Sequence, residues 1–419
     1  RQLMQIRVRH YTHLGIYILQ QLLNAKDRYI IQQIKDNAVY SIFCGQVFVK
    51  GFSIPKYSKV SEFRTRLSPE TQCELANAVA KMAVKEGFAN PAHVDIDSTV
   101  QKPEMQYPAA VNLLLKTAIL GRKIQKILQD KVPELIKDLM PDIDLKEIKN
   151  IAKKHYFEKR SDLKKKKAPK LIVLSNLWKK VSEVTQPVIR FARMLTEPYL
   201  LESLSKTQQQ DVISFIRKAP VFMTEIFDYC YENIPLRSKI FSYYRNEVDC
   251  FNKNKQSKGV EFGRQFQIGR IEGNFVFSIP NDSIRMPDAK SFKKLLSGHI
   301  ELFNTPIESI ATDKGYYSKA NEQLALDFGI SQVGIQRKNS KLNNAPDNPI
   351  TEEEQEELYN RRSGIEPIIG HLKHGWQMGR SRMKTDRTTE SSGFAAMLGF
   401  NLRQMVRYLN GEAKLINSS

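Results

Sequence analysis

A chain of 419 residues exceeds one ordinary compact domain and reads as two or three units, with 41% hydrophobic residues available for a core. Its 65 Lys and Arg against 45 Asp and Glu leave a formal charge of +20, which favours a polyanionic partner, nucleic acid ahead of an anionic membrane surface. No run of about 18 apolar residues and no signal-like start is visible, which excludes a transmembrane helix and reads as a soluble, intracellular protein. The chain begins at Arg1 rather than Met, as expected if an N-terminal piece is missing. The four cysteines, Cys44, Cys73, Cys230 and Cys250, stand far apart with neither C-x-x-C nor zinc spacing, and are expected as reduced thiols.

Residues 1–90 are expected to be helical. Ser68-Pro69-Glu70 places an N-cap, a proline at the first helical position and an acid in the first turn, and Gly87 closes that helix. Upstream, Arg64 and Arg66 beside Phe63 fit either a DNA-reading unit or a solvated helix. The stretch His93 to Val100 alternates as a strand does, with Val94 and Ile96 on one face and Asp95 and Asp97 on the other.

From 109 to 248 the pattern is helical throughout, with Leu114, Ala118, Gly121, Ile124 and Leu128 on one apolar face. The window 151–170 holds nine Lys or Arg against two acids and includes the run Lys164 to Lys167, suited to tracking phosphates or to solvation. Trp178 is expected to be buried in its helix rather than stacked on a base. Strand character returns at 259–268 and 274–279 around a Gly-containing turn, which predicts a hairpin. A helix over 288–302 follows, then a strand from Ile307 ending on Asp313 and Gly315. Ser318 caps a helix running to Gly329, a short strand spans Gln332 to Gln336, and a polar loop covers 337–350. Helices over 351–373 and 388–410 close the chain, the second burying Phe394, Leu398, Leu402, Met405 and Leu409. This order defines an α/β fold: a mixed sheet whose first strand is separated from the rest by an all-helical block. The expected domains are residues 1–90, a helical unit that is a candidate for binding DNA ends; 91–108 with 249–410, the sheet-bearing core; and 109–248, the helical insertion.

Tyr359, Arg362, Glu366 and Lys373 follow at offsets of 3, 4 and 7, which at about 100° per residue puts all four within about 60° of helix surface. A carboxylate, two cations and a phenol on one face suit phosphodiester chemistry, although a salt-bridged surface helix shows the same spacing. Pro367, with Gly364 and Gly370, predicts a kink or a regular helix that starts near Glu366. Acids at strand ends or on an adjacent helix are where an α/β sheet presents polar groups to a crevice, which selects Asp97, Asp313 and Glu366. Three such carboxylates brought together would repel, and two magnesium ions would relieve that repulsion while serving in-line attack on a phosphodiester.

The block Tyr359 to Lys373 resembles the Y-x2-R-x3-E-x6-K signature of DDE transposases of bacterial insertion sequences, in the group spanning the fourth and fifth insertion-sequence families. Asp95-Ile-Asp97-Ser-Thr-Val-Gln101, with Tyr107-Pro108 after it, resembles the first-acid segment, and Ile310-Ala-Thr-Asp313-Lys-Gly-Tyr316 the second. Arg361 to Lys373, followed by Met378-Gly-Arg380, resembles the third. The resemblance spans most of residues 40–410 and implies an RNase H-like core. It makes Asp97, Asp313 and Glu366 catalytic ligands of two Mg²⁺, replaceable by Mn²⁺, and Tyr359, Arg362 and Lys373 contacts to DNA. Asp95 is the rival for the first acid, with the following Ser-Thr favouring Asp97. The implied activity is cleavage at element ends and joining of 3′-hydroxyls to target DNA, by a homodimer on double-stranded DNA in the bacterial cytoplasm, associated with the nucleoid. An RNase H-like nuclease or resolvase without strand transfer, or a catalytically silent DNA-binding descendant, are the alternatives.

Overall fold

The computed structural model describes residues 2–46, 53–136, 139–161, 168–237, 240–255, 258–335 and 350–413. The basic run Lys164 to Lys167, residue 336 and nearly all of the polar loop 337–350 lie outside the described residues. Five helices open the chain: α1 (Gln2–Leu22), α2 (Asp27–Asp36), α3 (Ala38–Phe43), α4 (Tyr57–Arg66) and α5 (Pro69–Lys85). Strand β1 (Asn90–Gln101) precedes the helices α6 (Ala110–Lys131), α7 (Pro133–Ile136), α8 (Leu145–Ser161), α9 (Ala168–Ala192), α10 (Pro198–Glu202) and α11 (Lys206–Tyr231). The chain then forms β2 (Asp249–Lys255), β3 (Lys258–Glu272), β4 (Phe275–Phe277), α12 (Asp288–Phe303), β5 (Ser309–Thr312), α13 (Lys319–Asp327) and β6 (Gln332–Ile335). Helices α14 (Glu352–Ser363), α15 (Ile365–Gly375) and α16 (Asp386–Leu409) complete it. Two compact units result, Arg1–Glu104 with Asp249–Ser419, and Met105–Val248.

In the first unit the strands lie in the order β2-β3-β1-β5-β6, with β4 paired to β3. β3 runs antiparallel to β1, β2 and β4, whereas β5 is parallel to both β1 and β6. An open mixed sheet of this kind, flanked by helices, is compatible with an RNase H-like core. Strand β2 escaped the sequence reading because Asp249-Cys-Phe-Asn-Lys-Asn-Lys255 carries no apolar alternation. Val94 and Ile96 of β1 enter one buried cluster with Ile268, Ile310, Val333 and residues of α5, α12, α15 and α16. In α16, Phe394, Leu398 and Met405 are buried and Leu402 packs against them, but Leu409 is 67% exposed. Its place in the last turn carries it beyond the edge of the partner surface.

Buried amides seal the outer edge of β4. The Asn401 side chain donates to Ala76 O at 3.0 Å and Val276 O at 2.7 Å, and accepts from Val276 N at 2.9 Å. Asn77 does the same for Ser278, donating to its carbonyl at 2.9 Å and accepting from its amide at 3.1 Å. Backbone groups that a short strand would leave orphaned are thus satisfied, at the junction of α5, α16 and the sheet.

The second unit is all-helical. α6, α8, α9 and α11 share one core that contains Leu114, Ala118, Ile124, Leu128, Leu177, Val181, Phe215 and Phe222. Trp178 is a part of that packing: it lies partly buried, its Nε1 donates to Met223 O at 2.8 Å, and its ring sits 5.2 Å from that of Phe227. All four cysteines are free thiols. Among the described residues no helix is long and apolar enough to cross a membrane.

Replacing Asn401 with Leu strands the buried N–H and C=O of Val276, so the urea midpoint of the Asn401→Leu protein should correspond to a loss of roughly 2–4 kcal/mol. A change below about 1 kcal/mol would mean that the edge of β4 is satisfied by other means.

Candidate active site

Register brings the first two acids together. β1 pairs in parallel with β5 so that Asp95 faces Ala311 and Ile96 faces Thr312. The same offset carried one residue further sets Asp97 beside Asp313, just past the last paired positions. Asp313 ends β5 by capping a short 3-10 turn over Lys314–Tyr316, its Oδ1 accepting from Lys314 N at 2.7 Å.

The third acid comes from the helices that lie over this end of the sheet. A single helix over 351–373 was expected, with a kink or a fresh start near Glu366; the chain makes two helices that meet at Gly364. A Cβ on Gly364 would stand 2.6 Å from Arg270 Nη1 and 3.1 Å from Arg361 O, so a larger residue there would displace the end of the Arg270 side chain. α15 therefore begins at Ile365 and puts Glu366 and Pro367 in its first turn. Proline needs no N–H there, and a carboxylate gains from the helix dipole.

Four of the sequence-selected residues meet. Arg362 Nη2 lies 3.2 Å from Asp97 Oδ2 and 3.9 Å from Asp313 Oδ1, and Arg362 Nη1 lies 3.4 Å from Glu366 Oε1. The Arg362 and Asp97 side chains are only 13% and 16% exposed, whereas Asp313 and Glu366 are 46% and 64% exposed, so Asp97 forms the floor and the other acids the rim. Tyr359 is exposed in the last turns of α14, and Lys373 is half-buried in the last turn of α15. Thus all six candidates sit on β1, at the end of β5, or on the α14–α15 pair. Among the described residues no group of three or more His, Cys, Asp or Glu side chains is close enough to hold a metal ion, the acids being spread around the guanidinium.

Asp95 occupies a different place. Arg270 Nη1 donates to its Oδ2 at 3.0 Å and Arg361 Nε to its Oδ1 at 2.9 Å, and its side chain is 4% exposed. Arg361 also donates to Val94 O at 3.2 Å and to Ser309 Oγ, while Arg270 donates to Arg361 O at 2.8 Å. Both oxygens of Asp95 are therefore engaged in tying α14 to β1, β3 and β5. The sequence reading gave Arg361 and Arg270 no role. The available signal was Asp95 itself, since a strand acid covered by a helix needs a cationic partner.

Asp288 is a fourth acid that the sequence did not single out. In the first turn of α12, its Oδ1 accepts from Gln265 Nε2 at 2.8 Å and Gln267 Nε2 at 3.1 Å, and Tyr316 OH donates to Gln267 Oε1. Burial pushes the Asp97 carboxyl up to about 6; the Arg362 guanidinium and the Ser98 N–H oppose this, and the Asp313 and Asp288 carboxylates add to it. Exclusion of water, more than the neighbouring charges, therefore sets the Asp97 carboxyl.

Residues 285–402, which hold Asp313, Arg362 and Glu366, match the family model described as Transposase DDE domain. That part of the chain is similar to DDE transposases. Over 105 residues the chain is 27% identical to the uncharacterised protein ORF8 in the nfe locus of Rhizobium meliloti, covering 24% of this chain and 51% of that protein. The chain thus spans about half the length of this curated relative. No solved structure matches it.

The two neighbouring acids of β1 should respond oppositely to neutralisation. Asp95→Asn leaves two buried guanidinium groups uncompensated and should lower stability by roughly 3 kcal/mol in a thermal or urea melt. For Asp97 the folded carboxyl lies above its ordinary 3.8, so the folded state holds the proton more tightly and stability falls as pH rises from about 4 to about 6. Asp97→Asn should remove that fall and gain up to roughly 3 kcal/mol at pH 7 without added metal. Equal destabilisation by both changes would erase the distinction between them.

Proposed function

We propose that this chain is a DDE transposase of the group spanning the fourth and fifth insertion-sequence families. In this reading it binds element ends, cleaves the phosphodiester to free a 3′-hydroxyl and joins that hydroxyl to target DNA. The observation that supports it most directly is the meeting of Asp97, Asp313 and Glu366 around one guanidinium at the end of a mixed sheet. The formal charge of +20 supports a polyanionic substrate.

The donor set fits a hard divalent cation. It consists of carboxylate oxygens without Cys or His, and the three carboxylates share a single guanidinium at 3.2 to 3.9 Å. Asp97, Asp313 and Glu366 would hold Mg²⁺, or Mn²⁺ in its place, as two ions per site. Such a pair, when bound, activates the attacking oxygen and stabilises the leaving one. Asp97 must give up its proton to serve, from a position where water is largely excluded. Asp313 and Glu366, on the open rim, face the side from which DNA arrives. Tyr359, Arg362 and Lys373 would grip phosphate oxygens, Arg362 with two parallel donors and Lys373 as a point charge. The helices of residues 2–85 and the helical unit 105–248 are assigned to end binding or to contact within a homodimer, in the bacterial cytoplasm at the nucleoid.

A cleavage assay on duplex DNA carrying the repeats that flank the source gene tests this. With Mg²⁺ or Mn²⁺, Asp97→Ala, Asp313→Ala and Glu366→Ala should each reduce cleavage by about 10³-fold or more while DNA still binds. Full activity in any one of them removes that residue from the site, and nicks without joined products would mark a nuclease. Below pH 6 the Asp97 proton competes with the cation, so Mn²⁺ affinity should fall about tenfold per pH unit and level off above that pH. A pH-independent affinity between pH 5 and 7 would exclude Asp97 as a ligand.

A further inference from the structure

We propose that Arg362 is the internal counter-cation of the acid cluster, and that its guanidinium and the first divalent ion exclude one another; the proposal rests on the reading of Asp97, Asp313 and Glu366 as metal ligands. Arg362 lies within 3.2 to 3.9 Å of all three carboxylates, with its side chain only 13% exposed. Ions of the Mg²⁺ and Ca²⁺ class sit about 2.0–2.6 Å from their oxygen ligands. A cation drawing on the same oxygens would therefore stand against the guanidinium, where like charges repel strongly in a partly dry site. The buried Nε of Arg362 has no hydrogen-bond partner among the described residues, so only the acids hold the planar group in place.

The same side chain cannot neutralise the acids and grip a phosphate at once. Both of its Nη groups lie against the carboxylates, and only displacement frees them. Metal entry therefore delivers the guanidinium to the incoming phosphate. By linkage, phosphate bound to the released group strengthens metal binding by the same factor. The local arrangement favours such a swing: Arg362 lies at the end of α14, two residues before the break at Gly364. Arg361, next to it, is fixed by Asp95 and keeps the helix in register while Arg362 turns.

The test is a Mn²⁺ titration of the full chain without DNA, read by the electron paramagnetic resonance signal of free Mn²⁺. Arg362→Gln should bind the first ion at least about tenfold more tightly than the wild type, within the range usual for coupled sites. Its melting temperature should be lower without Mn²⁺ and rise more on addition. An affinity equal to or weaker than wild type, with binding still lost in Asp97→Asn, overturns the proposal and leaves the acid site standing. Unchanged binding in Asp97→Asn overturns both. Should Arg362→Gln not fold, the wild type decides by itself: Mg²⁺ should raise phenylglyoxal modification of the peptide containing Arg362, read by mass spectrometry. Constant or reduced modification of Arg362 refutes displacement.

Discussion

The arrangement of the site depends on one buried carboxylate. Asp95, held between Arg270 and Arg361, is the point at which β1, β3, β5 and α14 are fixed to one another. A buried ion pair is weak evidence for net stability, because desolvation offsets much of the attraction. Its value here is geometric. Guanidinium donors are directional, and two of them on one carboxylate leave α14 a single seating, which delivers Arg362 to Asp97. Gly364 belongs to the same constraint, since a Cβ there would press on the Arg270 guanidinium.

Adjacent positions of like chemistry thereby take contrasting parts. Asp95 and Arg361 are fully engaged with each other and with the sheet, whereas Asp97 and Arg362, two residues along the strand and one along the helix, belong to a cluster of three carboxylates around one guanidinium. Burial raises the Asp97 carboxyl, and Arg362 offsets that only in part. A protein selected for stability alone would compensate it; local conflicts of this kind concentrate where a ligand is meant to complete the structure.

Much of this was legible in the sequence, because strand alternation and helix caps are local. The face shared by Asp95 and Asp97, the Ser68 and Ser318 caps, the hairpin of β3 and β4 and the separate helical block all follow from short-range patterns. The acids were selected by position and chemistry, aided by a motif resemblance, but their convergence depends on register between distant segments, which no local pattern carries. The same limit hid Arg270, Arg361 and Asp288, whose roles exist only across elements. Strand β2 was missed for another reason: its polar sequence is a strand through pairing with β3 rather than through its own periodicity.

The parallel offset between β1 and β5 also bears on how such a chain can change length. Asp97 and Asp313 are set by hydrogen bonds between neighbouring strands, and the 144 residues from Met105 to Val248 leave the sheet after β1 and return at β2. Closing a longer or shorter excursion changes the entropy only logarithmically, by about 0.6 kcal/mol per doubling. Whole helices can be gained, lost or exchanged at that junction without moving either acid, so the placement of the acids and the helical unit are free to diversify at different rates.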